Sequence, residues 1–217
     1  MNLVINEVHI PAGLAILQGN LNVPDSATAL VLFAHGSGSS RHSPRNQFVS
    51  RTLNNAGLAT LLFDLLTPEE ELADARTAEH RFNIRLLAER LVHATYWAKQ
   101  QRQTRDLRIG YFGSSTGGGA AVVAAVELPD EVGAIVSRGG RPDLAGEALP
   151  KVKAPTLLIV GAEDDIVIEL NEQARDQMRC KVKLEIVPGA THLFEEPGAL
   201  ECVAQMASVW FVDHIGQ

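Results

Sequence analysis

Residues 108–125 read RIGYFGSSTGGGAAVVAA, an apolar run that enters a cluster of small residues and leaves as an alanine–valine pattern. A phosphate-cradling loop would need lysine after its last glycine, and none follows Gly117, Gly118 or Gly119. The dinucleotide spacing G-x-G-x-x-G fails here in every frame. The stretch does satisfy G-x-S-x-G, as Gly113–Ser114–Ser115–Thr116–Gly117, and only Ser115 has glycine at both two-residue offsets. A strand before it and a helix after it make this the pattern of a nucleophile elbow, a turn that lifts one hydroxyl above a sheet edge. The same turn aims the Thr116 N–H and a helix N-terminus at the reacting carbonyl, where negative charge develops.

Working outward, apolar runs bounded by turn residues occur at Ala29–Ala34, Ala59–Leu65, Leu107–Phe112, Val132–Ser137, Pro155–Val160 and Val182–Val187. Uninterrupted runs of this length suit central strands of a parallel sheet covered on both faces. Helical patterns fall between them at Pro44–Ala56, Glu79–Lys99, Thr116–Glu127, Ile166–Met178 and Gly198–His214. Leu3–Ile10 and Leu14–Val23 flank a Pro11–Gly13 turn and predict a leading antiparallel hairpin. The expectation is one doubly wound α/β domain over residues 1–217, with a mostly parallel sheet, helices on both faces and no cap insertion. Ligands of such sheets bind at the carboxyl ends of the strands, so function belongs to the loops there.

A serine hydroxyl needs a base. Of the seven histidines, His192 alone follows the last strand through a short loop and precedes the final helix. An acid to orient it belongs between serine and histidine in the chain order of this elbow arrangement. The loop Gly161–Ala162–Glu163–Asp164–Asp165 offers three carboxylates, of which Asp164 is favoured, with Asp165 next and Glu163 last. A second oxyanion donor is expected from His35–Gly36–Ser37–Gly38, with the Ser37 N–H beside that of Thr116 and His35 pinning the loop. Arg41, Arg45, Arg138 and Arg141 fall on loops of the same edge. They form a candidate substrate-binding rim for a carboxylate or phosphate, or else pair with nearby acids and order the loops.

These segments resemble the α/β-hydrolase superfamily over the whole chain: "FAHGSGSS", "GYFGSSTGGGAA", "LLIVGAEDD" and "GATHLFEEPGAL" fall in its order. The short length, and the segments "SGSSRHSPRN", "LLFDLLTPEEE" and "VSRGGRPDLAG", look most like dienelactone-hydrolase-like members. That resemblance implies hydrolysis of a small ester or lactone by a serine, histidine and acid, without metal or organic cofactor. Dienelactone hydrolase proper uses cysteine where Ser115 stands, which favours a general serine carboxylesterase. Transfer of the acyl group to an acceptor other than water, and a non-catalytic ligand-binding scaffold, are the alternatives.

Composition sets the bounds. A formal charge of −7 gives no basic footprint, so nucleic acid is not expected as a partner. Cys180 and Cys202 are too few and too far apart for a zinc site or a disulfide framework. Neither a leader-like start nor an 18-residue apolar run is evident, so the expected setting is the cytoplasm, away from membranes.

Overall fold

The computed structural model describes residues 6–25 and 27–216. Six of its eight strands fall on the expected runs: β3 (Ala29–Ala34), β4 (Ala59–Phe63), β5 (Arg108–Ser114), β6 (Val132–Arg138), β7 (Thr156–Gly161) and β8 (Val182–Val187), but β8, with Lys183 and Glu185, is an edge strand with only Val187 buried, not a central one. The other two, β1 (Asn6–Ala12) and β2 (Ala15–Asn22), form the antiparallel hairpin. Residues 3–5 of the expected first strand lie outside the described residues. The hairpin turn is shorter than expected: Gly13 and Leu14 make it, Gly13 at φ 66°, and Pro11 is still in the strand opposite Ile16. Proline is tolerated there because β1 is an edge strand.

The strand order is β1-β2-β4-β3-β5-β6-β7-β8, parallel from β4 through β8. Successive side chains of a strand point to opposite faces. In β3, Leu30, Leu32 and Ala34 therefore enter one core and Ala29, Val31 and Phe33 the other. The first core is shared with α3 (Ile84–Gln100), α4 (Thr116–Glu127) and α5 (Asp165–Gln177); the second is shared with α1 (Pro44–Asn55) and α6 (Ala199–Ile215). This is the doubly wound α/β-hydrolase-like architecture. Among the described residues no helix is long and apolar enough to cross a membrane.

From β3 the chain moves one way to β4 and then the other way to β5, so the strand order reverses between β3 and β5. The loops after these two strands open a crevice there, the usual ligand position in open α/β sheets. The glycine loop and the His35–Gly38 loop are these two loops.

Most expected ends move by a residue or two, and one helix boundary shifts further. The third helix starts at Ile84, not Glu79, because the Asn83 side chain accepts from the Leu86 N–H and caps it there. Residues 64–83 hold an unexpected helix, α2 (Pro68–Thr77), closed by a reciprocal Thr67–Glu70 capping box. A further 3₁₀ segment, Pro142–Lys151, breaks at Gly146.

Candidate active site

Ser115 joins β5 to α4 with φ 50° and ψ −123°, a conformation that L-residues avoid. Such strain costs about 1–3 kcal/mol and persists only where the surroundings over-determine it. Here the surroundings do. A Cβ on Gly117 would collide with the Ala34 carbonyl of β3, and one on Gly36 would come within 2.8 Å of Ser115 Cβ. The Ser115 carbonyl is held by the N–H groups of Gly118 and Arg141. Its hydroxyl caps nothing in α4. Next to it, Ser114 is buried and donates to Asn46 Oδ1 at 3.3 Å, a tie to α1 that no local motif announces. Gly118 and Gly119 admit close contact with Ser137 Oγ and the Arg141 carbonyl, so they fit α4 against the loop after β6.

The loop after β3 lies against this turn, with Ser37 Oγ 3.3 Å from Thr116 Oγ1. Among the described residues neither the Ser37 nor the Thr116 backbone N–H has a protein acceptor. His35 holds the loop. Its Nδ1 lies 2.9 Å from the Gly36 carbonyl, and its Nε2 accepts from the Leu65 N–H at 3.0 Å. Those partners require the neutral ring with hydrogen on Nδ1. Burial depresses the pKa of His35 below its ordinary value of 6.5, outweighing the Gly36 hydrogen bond and the Asp64 charge, which act the other way. A depressed histidine contributes stability that is complete above the unfolded value and lost as pH falls through the folded one. The urea midpoint is therefore expected to fall as pH drops below about 6.5, and His35→Gln should flatten that slope. Equal slopes in both proteins would remove His35 as the cause.

His192 occupies the loop between β8 and α6, and its Nδ1 is 2.6 Å from Asp164 Oδ2. Of the three carboxylates after β7, Asp164 makes this contact; Asp165 opens α5 exposed, and Glu163 is exposed. The two loops are laced by Ala162 N–H to the Val187 carbonyl and Glu163 N–H to the Ala190 carbonyl, both 2.9 Å. Phe194, at φ 56° and fully buried, anchors the far side of the histidine loop. Gly139, just past β6, packs against His192. Among the described residues no hydrogen bond joins Ser115 to His192; such bonds are often long without substrate and tighten when it binds.

The structure sorts the four arginines. Arg41 pairs with Asp64 and donates to Gln18, while Arg141 forks onto Asp143 at 2.9 and 2.8 Å. Arg45 reaches the exposed Glu195 at 3.0 Å. Arg138 is the last residue of β6, not a loop residue, and is buried. Beside the His35–Gly38 loop and Thr116, the crevice is lined by the segment around α2: Leu65, Leu66, Glu71, Asp74 and Arg81. Burial, then Asp74 and Asp64, raise the Glu71 carboxyl above its usual range. Burial alone would raise Asp74 too, but hydrogen bonds from Arg81 and His80 hold it below its ordinary value. Among the described residues no His, Cys, Asp and Glu side chains cluster as a metal site.

The model of the dienelactone hydrolase family matches residues 17–210. Among solved structures, the crystal structure of a dienelactone hydrolase from Anabaena variabilis is 58% identical, covers 99% of this chain and all of its own, and superposes with a TM-score of 0.97. Est1E from Butyrivibrio proteoclasticus, at 19% identity and TM-score 0.79 over 97% of this chain and 99% of its own, shares the fold. Two Mycobacterium tuberculosis proteins, from strains H37Rv and CDC 1551 and provisionally named phosphoribosyl transferases, are each 56% identical over 209 residues. The match takes in 96% of this chain but 46% of theirs, so the chain spans about half the length of the curated relatives it matches.

Proposed function

The chain belongs to the dienelactone hydrolase family, and from that premise we propose that it is a serine hydrolase of small carboxylic esters. The observation that supports this best is Ser115: a non-glycine residue at φ 50° whose hydroxyl does no structural work. In this reading Ser115 Oγ attacks the acyl carbon as His192 Nε2 takes its proton. The carbonyl oxygen becomes an oxyanion against the N–H groups of Thr116 and Ser37. Asp164 keeps the hydrogen of His192 on Nδ1 and stabilises the imidazolium. The alkoxide leaves with the proton from His192, and water then attacks the acyl-enzyme by the same route in reverse.

A fluorophosphonate probe tests the proposal directly, because it phosphonylates only an activated serine. The expected result is stoichiometric labelling at the peptide holding Ser115, together with loss of hydrolysis of short para-nitrophenyl esters. Labelling elsewhere, or esterase activity that survives full labelling, would overturn it.

A further inference from the structure

Asn171 lies in the second turn of α5, the helix capped by Asp164, and it is fully buried. Its Nδ2 donates twice, to the Val167 carbonyl one turn back at 2.8 Å and to the Gly140 carbonyl at 3.0 Å. Both amide hydrogens are thereby engaged, and exchanging Nδ2 with Oδ1 would set an oxygen against two carbonyls. Oδ1 is enclosed without a partner. A leucine of the same shape would bring no such orphan, so packing alone does not account for an amide here. What the amide adds is a donor for Gly140, whose carbonyl has no other donor among the described residues.

The residues after β6 are tied down on every side. The Gly139 N–H donates to the Ile159 carbonyl of β7 at 2.7 Å, and the Arg141 N–H to the Ser115 carbonyl at 2.9 Å. Gly139, at φ 49°, backs His192: a Cβ there would come within 3.1 Å of the His192 carbonyl oxygen and 3.5 Å of its Nδ1. The Gly140 carbonyl and the Arg141 N–H are the two polar ends of one planar peptide unit, and they point opposite ways. Asn171 grips one end of that unit and Ser115 the other. With glycine on its N-terminal side, such a peptide rotates easily unless both ends are held.

We infer that Asn171 is a positioning residue for the nucleophile. By fixing the peptide between Gly140 and Arg141, it keeps the Arg141 N–H on the Ser115 carbonyl and so maintains the strained turn. That turn presents Oγ and the Thr116 N–H together. The inference rests on Ser115 being the nucleophile. Because Asn171 and Asp164 belong to one helix, the same bond also ties the acid's helix to the serine's turn and to the glycine behind His192.

Asn171→Leu and Asn171→Asp keep the shape and abolish the donor. Rates are taken per site titrated by fluorophosphonate, well below each Tm, so that unfolded protein does not count. Both variants should lower kcat for para-nitrophenyl acetate roughly 10- to 100-fold with KM within about threefold, the cost of misplacing a reacting group by about 1 Å. Ser137→Ala removes another enclosed, unpartnered polar atom packed on the same glycine, and should change kcat by less than about twofold. A second readout needs no activity. Ser115→Gly relieves the strain at φ 50° and Ser115→Ala does not, so the gap between their urea midpoints measures that strain. In the Asn171→Leu background the gap should shrink by at least about half. An unchanged gap, an unchanged kcat per site in both Asn171 variants, or an equal loss in Ser137→Ala would overturn the inference. If the wild type neither labels nor cleaves esters, the hydrolase reading fails, and the strain gap still decides whether Asn171 holds the turn. Should Asn171→Leu not fold, Asn171→Asp or the shorter Asn171→Ser carries the same comparisons.

Discussion

Ser115→Ala should lower kcat/KM for ester hydrolysis by roughly a million-fold, to the level that oxyanion donors and binding alone sustain. KM should change little, because the hydroxyl reacts with substrate but does not hold it. Stability gives the same experiment a second axis. Ser115 sits at φ 50° and ψ −123° because Gly36, Gly117 and the bonds to its carbonyl leave it no other backbone conformation. Alanine inherits that strain, whereas glycine does not. Ser115→Gly should therefore be as inactive as the alanine variant and more stable by about 1–2 kcal/mol, read as a raised urea midpoint. Activity surviving in both variants would remove Ser115 as nucleophile. A glycine variant no more stable than alanine would show that the turn stores no strain.

The sequence signals differ in how well they survive into three dimensions. Strand β3 matches its expected ends because its continuous apolar run is buried on both faces, whereas β8, VKLEIV at the sheet edge with only Val187 buried, keeps its ends on alternating apolar and charged residues. The elbow is legible for a similar reason: a Cβ on Gly113 would collide with the backbone of Gly117 and Gly118, four and five residues on in the chain, and one on Gly117 with the Ala34 carbonyl. Helix α2 escaped because its one buried residue is Asp74, so it carries no apolar stripe for periodicity to detect. Its signature was Thr67, Pro68 and Glu70, a capping box without a hydrophobic face behind it. Choosing among Glu163, Asp164 and Asp165 required the fold, since which side chain meets His192 depends on where α5 begins. The arginines were the least legible. All four sit on the same edge, and only tertiary distances separate those with a carboxylate partner from Arg138, which has none.

Asp164→Asn should cost about 10⁴-fold in kcat while leaving Tm close to that of the wild type. The separation between His192 Nδ1 and Asp164 Oδ2 is 2.6 Å, the length of a bond to a charged acceptor. With aspartate, the carboxylate can only accept, so the hydrogen stays on Nδ1 and the Nε2 lone pair is left to take the Ser115 proton in the proposed mechanism. Asparagine can present its NH₂ instead, which puts the imidazole hydrogen on Nε2 and takes away the base. The imidazolium also loses its counter-charge during the reaction. Fluorophosphonate labelling of Ser115 should slow in parallel, since it needs the same proton transfer. Asp165→Asn serves as the comparison: this residue is exposed in the first turn of α5 and faces no partner in the crevice, so its loss costs about 0.3–1 kcal/mol of helix-terminal electrostatics and little activity. The reverse pattern, with Asp165→Asn inactive and Asp164→Asn active, would reassign the acid and require α5 to begin one residue later than it does.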